Sequence, residues 1–583
     1  IKEDSFYFFP MSPHTFQWFI LEKAHTDTED AKTYHTLDIS ELTDLLQSNH
    51  RHQFETKVLP EFMQRKKWFQ GKHRNVYAMT VAAHMHLALT DCNCILMLVE
   101  VSYESGLPEY YQLAMTLLKG PSGRRFTENY PEAVLAYTSP NGEYGIIVDA
   151  FFTSELQAYL FDKLSSEEAV KNGKSSMHFN AAPMLREYVN KQPSVTSTMH
   201  SNDINNTSLT YDNTWFLKMY RKVDTGMNPD VELSQELYNN AAFPNIPKFV
   251  GTIEWRMEKG TVVLGMMQSM IENHGDGRSY MLERLHNYIE RIEARDKSVL
   301  QPYLLLGSLS TPLAFEDLPE DLQTLLGNRA AEQARLIGQR TGELHLALAT
   351  MNTTKEFQPE PFSLHYQRSL FSSMQSLVRE SFHHIDKKWE SLPELTRSSL
   401  EGLRDQREII LTRLKRIYEK KLDVMRIRIH STYELRKVLL TGKDLSIQDF
   451  VGDPLRSFSE RRIKRSPVRD IADMVCSFYY VAYEGFFSSQ QVPKDQIPSL
   501  LPFARQWAYY MSGFFTKAWL DVVKGKAELV PEEEKDFDML VQTFILERAI
   551  RYLNYELVHR PDWALVPIHI IKHILQNKEV ANR

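Results

Sequence analysis

The stretch Arg426–Pro454, RIRIHSTYELRKVLLTGKDLSIQDFVGDP, holds residue types in an order that could do chemistry. A short strand (Arg426–Ile429) leads into a loop opening at His430, followed by a hairpin that turns at Thr441-Gly442-Lys443. The return strand alternates Leu445 and Ile447 with Ser446 and Gln448, the period of two of a half-buried strand, and ends in Asp449-Phe450. A loop followed by a hairpin ending in aspartate is the layout phosphoryl transfer needs. The loop offers a base to the attacking hydroxyl, and the aspartate holds the metal that neutralises developing charge. A second such stretch is Leu546–Ile568, LERAIRYLNYELVHRPDWALVPI. Aromatic faces among carboxylates suit a sugar, rings stacking on its C–H faces and acids accepting from its hydroxyls. An ordinary packing helix looks the same, so these residues alone leave both readings open.

The elements that must position these residues change character along the chain. From Val76 to about Tyr159, the runs VYAMTVAA, CILMLVEVSY, YYQLAMTLL and YGIIVDAFF are separated by Gly, Pro and Asn turns and predict an antiparallel sheet. Residues 163–205 are polar, with a short helix near Ala182–Lys191, and Phe243–Tyr280 reads as strand, turn, strand and linker. The second half is helical. In Ser399–Lys421, Leu400, Leu403, Ile410, Leu414 and Ile417 predict one long amphipathic helix. His345 and His365 have no third ligand at metal-binding spacing and read as ordinary helix histidines.

Composition excludes several classes. The 583 residues, 43% hydrophobic and 25% charged, suffice for two to four domains. A formal net charge of −7 gives no reason to expect nucleic acid or an anionic membrane as partner. The basic run within Arg456–Phe478 therefore reads as a structural loop crossing acidic helices. No apolar run approaches the roughly 18 residues of a membrane span. Of three cysteines, Cys92 and Cys94 are too isolated for a zinc site, which points to buried thiols in a reducing, cytoplasmic setting. The chain opens at Ile1 without a signal-peptide pattern and reads as a piece of something longer.

The Arg426–Pro454 stretch resembles the catalytic segment of bacterial maltokinases, H-G-D-Y-H-L-G-Q-V-L, a hairpin, then D-F-E-G-E-P. His430, Tyr433, Leu435, Val438, Leu439, Asp449, Phe450, Gly452 and Pro454 match. Thr432 falls at the family's base aspartate, Lys437 at its metal-binding glutamine and Ser431 at a glycine, while Asp453 keeps the charge of the second acidic residue. Further segments follow in the family's order. Trp68, Phe69, Gly71 and Lys72 resemble its cap signature R-W-F-x-G-K, and Asn205–Leu233 resembles S-N-T-S, L-K-L-x-R and N-P-D-x-E. The hinge preceding G-D-G-W is also similar, with Arg278 at the tryptophan. Leu546–Ile568 resembles the segment that helps maltokinases bind the disaccharide, with Arg548 for lysine, Arg551 for tyrosine and Tyr552 for glutamate.

This resemblance implies an α+β, bilobal kinase-like fold: a β-rich N-terminal cap (39–165), an N-lobe (195–272) and a helical C-lobe (273–583). It implies ATP held by Asn206, Thr207 and Ser208 at a hairpin tip, by Lys218 with Glu232 as its partner, and by backbone groups from Gln268 to Met270. Mg²⁺ would sit on Asp449 and Asp453, and a maltose-like disaccharide on Tyr555, Glu556, Arg560 and Arg548. Residues 5–22 resemble the end of the β-domain of trehalose synthases. This makes residues 1–23 the close of such a domain, 24–38 a linker, and a trehalose synthase catalytic domain the partner fused upstream. An intact member transfers the γ-phosphoryl of ATP to the anomeric hydroxyl of maltose. A threonine hydroxyl cannot accept a proton near neutral pH and an ammonium cannot coordinate Mg²⁺. Loss of a positioned base typically costs about 10²–10⁴ in rate. The expectation is a pseudokinase that acts as a regulatory or structural module. Two alternatives stand beside it: an impaired ATP-dependent sugar kinase with Glu434 as substitute base, and a scaffold with no ligand.

Overall fold

The β-branched and aromatic runs of the first half form two sheets. The computed structural model describes residues 34–90, 92–139, 143–192, 194–200, 203–295, 305–453, 456–487 and 497–576. The aromatic stretch 5–22 and most of the expected linker lie outside them. In the first sheet, β1 (Thr36–Leu37), β2 (Val76–Ala88), β3 (Asn93–Tyr103), β4 (Glu109–Lys119), β5 (Val134–Thr138) and β6 (Gly145–Asp149) lie in the order β1-β5-β6-β4-β3-β2. All pairs are antiparallel except β1 with β5. The nearly unbroken apolar run of β3 is explained by burial of both its faces. Ile95, Met97 and Val99 pack with Phe62, Trp68 and Phe69. Leu96 and Leu98 pack on the opposite side with Leu209 and Leu217 of the second sheet.

The second sheet contains β7 (Val170–Asn172), β8 (Ser175–Ala181), β9 (Ser197–His200), β10 (Asn206–Tyr211) and β11 (Trp215–Tyr220). After β12 (Lys222–Val223) come β13 (Phe249–Met257) and β14 (Gly260–Ser269), completing the order β7-β8-β13-β14-β11-β10-β9. The short β12 crosses over to pair with β4, so the two sheets are continuous at one point. There Arg221, almost fully buried, meets Asp149 at 2.5 Å and lies over the rings of Trp68 and Phe151.

Helices follow. In chain order those that matter for the site are α1 (Pro229–Asn239), α2 (Gly277–Glu293), α3 (Asn328–Thr350), α4 (Leu364–Lys388), α5 (Val468–Phe487), α6 (Ile497–Val523) and α7 (Glu534–His559). Asn228 starts α1, its side chain accepting from the Asp230 amide with Pro229 in the first turn. α3 and α6 approach closely because Gly338 and Gly342 carry no Cβ where Phe515 and Val522 cross.

Two sequence expectations need correction. Ser399–Lys421 is not one helix but two, Glu394–Arg404 and Arg407–Lys415, with a break at Asp405 and Gln406 inside the wholly polar stretch from Arg404 to Glu408. All five apolar residues are nonetheless buried. The strand before the reactive loop shrinks to β16 (Met425–Arg426) beside β15 (Glu360–Pro361). The hairpin stands as β17 (Val438–Leu440) and β18 (Leu445–Ile447).

Candidate active site

The start of the reactive loop is held from below by a buried carboxylate. Asp470, in the first turn of α5, accepts the amides of His430 and Ser431 at 2.8 Å each and the His345 Nε2–H at 3.1 Å. His345 Nδ1 accepts from the Trp519 indole at 2.9 Å, which fixes the tautomer that donates to Asp470. Burial alone would raise Asp470, but the histidines and loop amides outweigh it and hold the carboxyl below its usual range. Burial pushes the His430 imidazole below its ordinary value, and its Nε2 donates to the Gln448 carbonyl at 3.0 Å. Ser431 has φ +73°, the left-handed backbone that the absent glycine would adopt freely. Tyr433 fills the core and meets Thr341 at 2.9 Å, leaving Thr432 and Glu434 on either side of it, both partly exposed.

Above the loop, Lys218 and Asp449 come together as the kinase layout requires. Lys218 Nζ donates to Asp449 Oδ1 at 2.9 Å and to Asp230 Oδ2 at 2.9 Å. Lys437 closes on the other oxygen, Oδ2, of Asp449, so both oxygens of the would-be metal ligand face ammonium groups. Burial pushes the Lys437 ammonium below its ordinary range; Glu434 opposes that shift and Lys218 adds to it.

Several expected partners are rearranged. Asp230, not Glu232, holds Lys218, and it also accepts from Tyr220 at 3.0 Å and from the Phe450 amide at 2.8 Å. Residues 230 and 232 lie about 200° apart around a helix, so only one can face β11. Glu232 instead accepts from Arg428 at 2.7 Å and from Arg462 at 2.9 and 2.6 Å. Asn206, Thr207 and Ser208 begin β10 at the end of the β9–β10 hairpin, whose last pair is His200 with Ser208. Ser208 donates to Asp203 at 2.6 Å, and Thr207 accepts from Arg221 at 2.7 Å. Gln268 lies inside β14 with strands on both sides, and the Met270 amide donates to the Thr214 carbonyl at 2.7 Å. Those backbone groups are engaged where adenine was expected.

Residues 62–151 match the family described as the maltokinase N-terminal cap domain. Among solved structures, a glucosamine kinase in complex with glucosamine, ADP and inorganic phosphate aligns with a TM-score of 0.54 at 14% identity, over 85% of this chain and 94% of that one. A second crystal form of glucosamine kinase aligns with a TM-score of 0.53 at 14% identity, over 87% and 96%. Residues 62–151 thus resemble a maltokinase cap, and the chain has the kinase fold.

The metal that the kinase layout implies does not fit the residues present. Asp449 is saturated by two lysines, and Asp453 lies beside Arg456 and Arg551 at 3.5 and 3.9 Å. Among the described residues no group of three or more His, Cys, Asp or Glu could hold an ion. Of the expected sugar residues, Tyr555, Glu556 and Arg560 lie together and are engaged with their neighbours, while Arg548 stands apart. Glu556, fully buried, accepts from Tyr480 at 2.9 Å and from Arg560 at 2.9 and 2.6 Å, and the Tyr555 ring lies tilted against His559. Arg548 lies two turns earlier, about 12 Å along the axis, and pairs with Asp473 at 2.8 Å. Arg278, where a tryptophan was expected, pairs with Glu484. The sequence offered no signal for Asp470 as loop anchor. For Asp230 it offered the cap Asn228, which sets the phase of α1 and so decides which acid turns toward β11.

Proposed function

We propose that this maltokinase-like protein is a pseudokinase: it transfers no phosphoryl group and holds nucleotide without a divalent cation. The observation that carries the reading is Asp449 clasped between Lys218 and Lys437. The Lys437 ammonium stands beside the carboxylate that would otherwise take the metal, and contributes one positive charge in its place. Thr432 leaves no group of suitable basicity at the acceptor hydroxyl. Sugar and nucleotide remain the ligand classes of choice, supported by the cap match and by the glucosamine kinase, whose complex holds glucosamine and ADP. Placement behind a trehalose synthase, supported by the aromatic stretch 5–22, makes a regulatory role the companion proposal.

The test is calorimetric titration of ATP in EDTA and again in excess Mg²⁺, beside an overnight assay for maltose 1-phosphate. Equal affinity in both titrations and no product are expected. Product formation overturns the proposal, and its loss in Glu434→Gln would identify a relocated base. Absence of ATP binding in both buffers would leave a scaffold.

A further inference from the structure

The basic run that was expected to cross acidic helices instead lines a cavity of about 40 Å³ beside the reactive loop. That is room for about three waters or one tetrahedral anion, with an open mouth above it. Its walls are Ser431, Asp453, the segment from Arg456 to Arg465, the first turns of α5 and one face of α7. Six guanidiniums face three carboxylates there. Asp453 is shared by Arg456 and Arg551 at 3.5 and 3.9 Å, and Glu547 by Arg469 and Arg551 at 2.6 and 3.3 Å. Asp473 takes Arg548 at 2.8 Å. Arg465, more than nine-tenths buried, donates to the Glu460 carbonyl at 3.2 Å and has no carboxylate within ion-pair distance among the described residues. The carboxylates are thus already engaged, and positive charge is left over where water is scarce.

We propose that this arginine-lined cavity is an anion site that binds the phosphate group of a phosphomonoester. Planar guanidinium forks match phosphate oxygens two at a time, and an arginine surplus in a confined, partly desolvated cleft favours a dianion over a neutral sugar. Two separate features agree. Burial pushes Arg465 down to about 10, and the neighbouring Arg469 and Arg456 add to that shift while Glu547 opposes it. Burial opposes ionisation of Glu547, yet the surrounding arginines hold its carboxyl down to about 2. The site does not rest on nucleotide binding, since none of the residues around Lys218 lines it.

The experiment is calorimetry on the full chain with inorganic phosphate, glucose 1-phosphate and maltose, at 50 and 200 mM NaCl, repeated with Arg456→Gln and Arg551→Gln. Both arginines are partly exposed, so melting temperatures will verify that the variants fold. Binding of phosphate and glucose 1-phosphate, weakened by salt and lowered about tenfold or more in each variant, is expected, because each substitution takes one charge-assisted hydrogen-bond donor away from the anion. ATP affinity in EDTA stays unchanged in both variants. Tighter binding of glucose 1-phosphate than of phosphate identifies a phosphorylated sugar as ligand; equal binding identifies the phosphate group alone. No heat with either anion, or affinities untouched in both folded variants, overturns the site whatever ATP does. Maltose binding that disappears in the same variants would also overturn it, making the cavity a neutral-sugar site.

Discussion

At the scale of single residues, the proposed metal-free centre turns on Lys437, the second ammonium on Asp449 beside Lys218. Lys437 Nζ occupies Asp449 Oδ2, and replacing it with glutamine removes the charge while leaving an amide oxygen able to ligate a cation. Lys437→Gln is therefore expected to acquire a melting temperature that rises with millimolar Mn²⁺, by up to about 2.7 kcal/mol of stabilisation at a hundredfold excess over Kd. The unmodified chain should show no such rise, and thermal scans across a Mn²⁺ series check both. Adding Thr432→Asp to that variant supplies the missing base, and detectable maltose 1-phosphate is then expected. Thr432 and Lys437 were legible in the sequence because a residue type that cannot do a job is visible without coordinates. Asp230 and Asp470 were not, because what matters about each is the direction of one carboxylate. That direction depends on where a helix begins and on what packs against it.

At the scale of elements, β3 and β4 were legible as apolar runs bounded by turn residues, and the hairpin β17–β18 by its turn at Thr441-Gly442-Lys443 and the alternation that follows it. The break at Asp405–Gln406 was not, since a gap in an apolar stripe looks like a solvated turn of one helix. Helix packing also reverses the usual sign of a glycine substitution. A Cβ at Gly338 would sit 2.1 Å from the Phe515 carbonyl oxygen of α6, whereas at Gly402 nothing lies within 4 Å. Glycine inside a helix ordinarily costs about 0.5–1 kcal/mol relative to alanine, so Gly402→Ala should stabilise by that amount. Gly338→Ala must instead push α3 off α6 and should destabilise by about 1–3 kcal/mol, as overpacking does. Denaturant unfolding of the two variants side by side gives shifts of opposite sign if the close crossing is right. Matching gains would mean the two helices stand further apart.

At the scale of the whole molecule, the lobes are joined by buried polar contacts rather than by a free hinge. Lys218 reaches Asp449, Asp230 takes the Phe450 amide, and Asn245 exchanges hydrogen bonds with β18 at 2.8 and 2.7 Å. Glu232 adds the clamp that ties α1 to Arg428, almost fully buried just before the reactive loop, and to Arg462. An intact kinase must open and close around nucleotide, and such a set of contacts opposes opening. Glu232→Gln leaves the Arg428 guanidinium buried without its charge partner, a change that costs about 3–5 kcal/mol in comparable sites. The double variant Glu232→Gln, Arg428→Met removes both partners and should recover most of that loss. Hydrogen exchange followed by mass spectrometry then tells a clamp between lobes from a local ion pair. In Glu232→Gln, exchange is expected to rise in α1 and in the β17–β18 hairpin together, since separating the lobes exposes both. A rise confined to α1 would mean that Lys218, Asp230 and Asn245 alone keep the molecule shut.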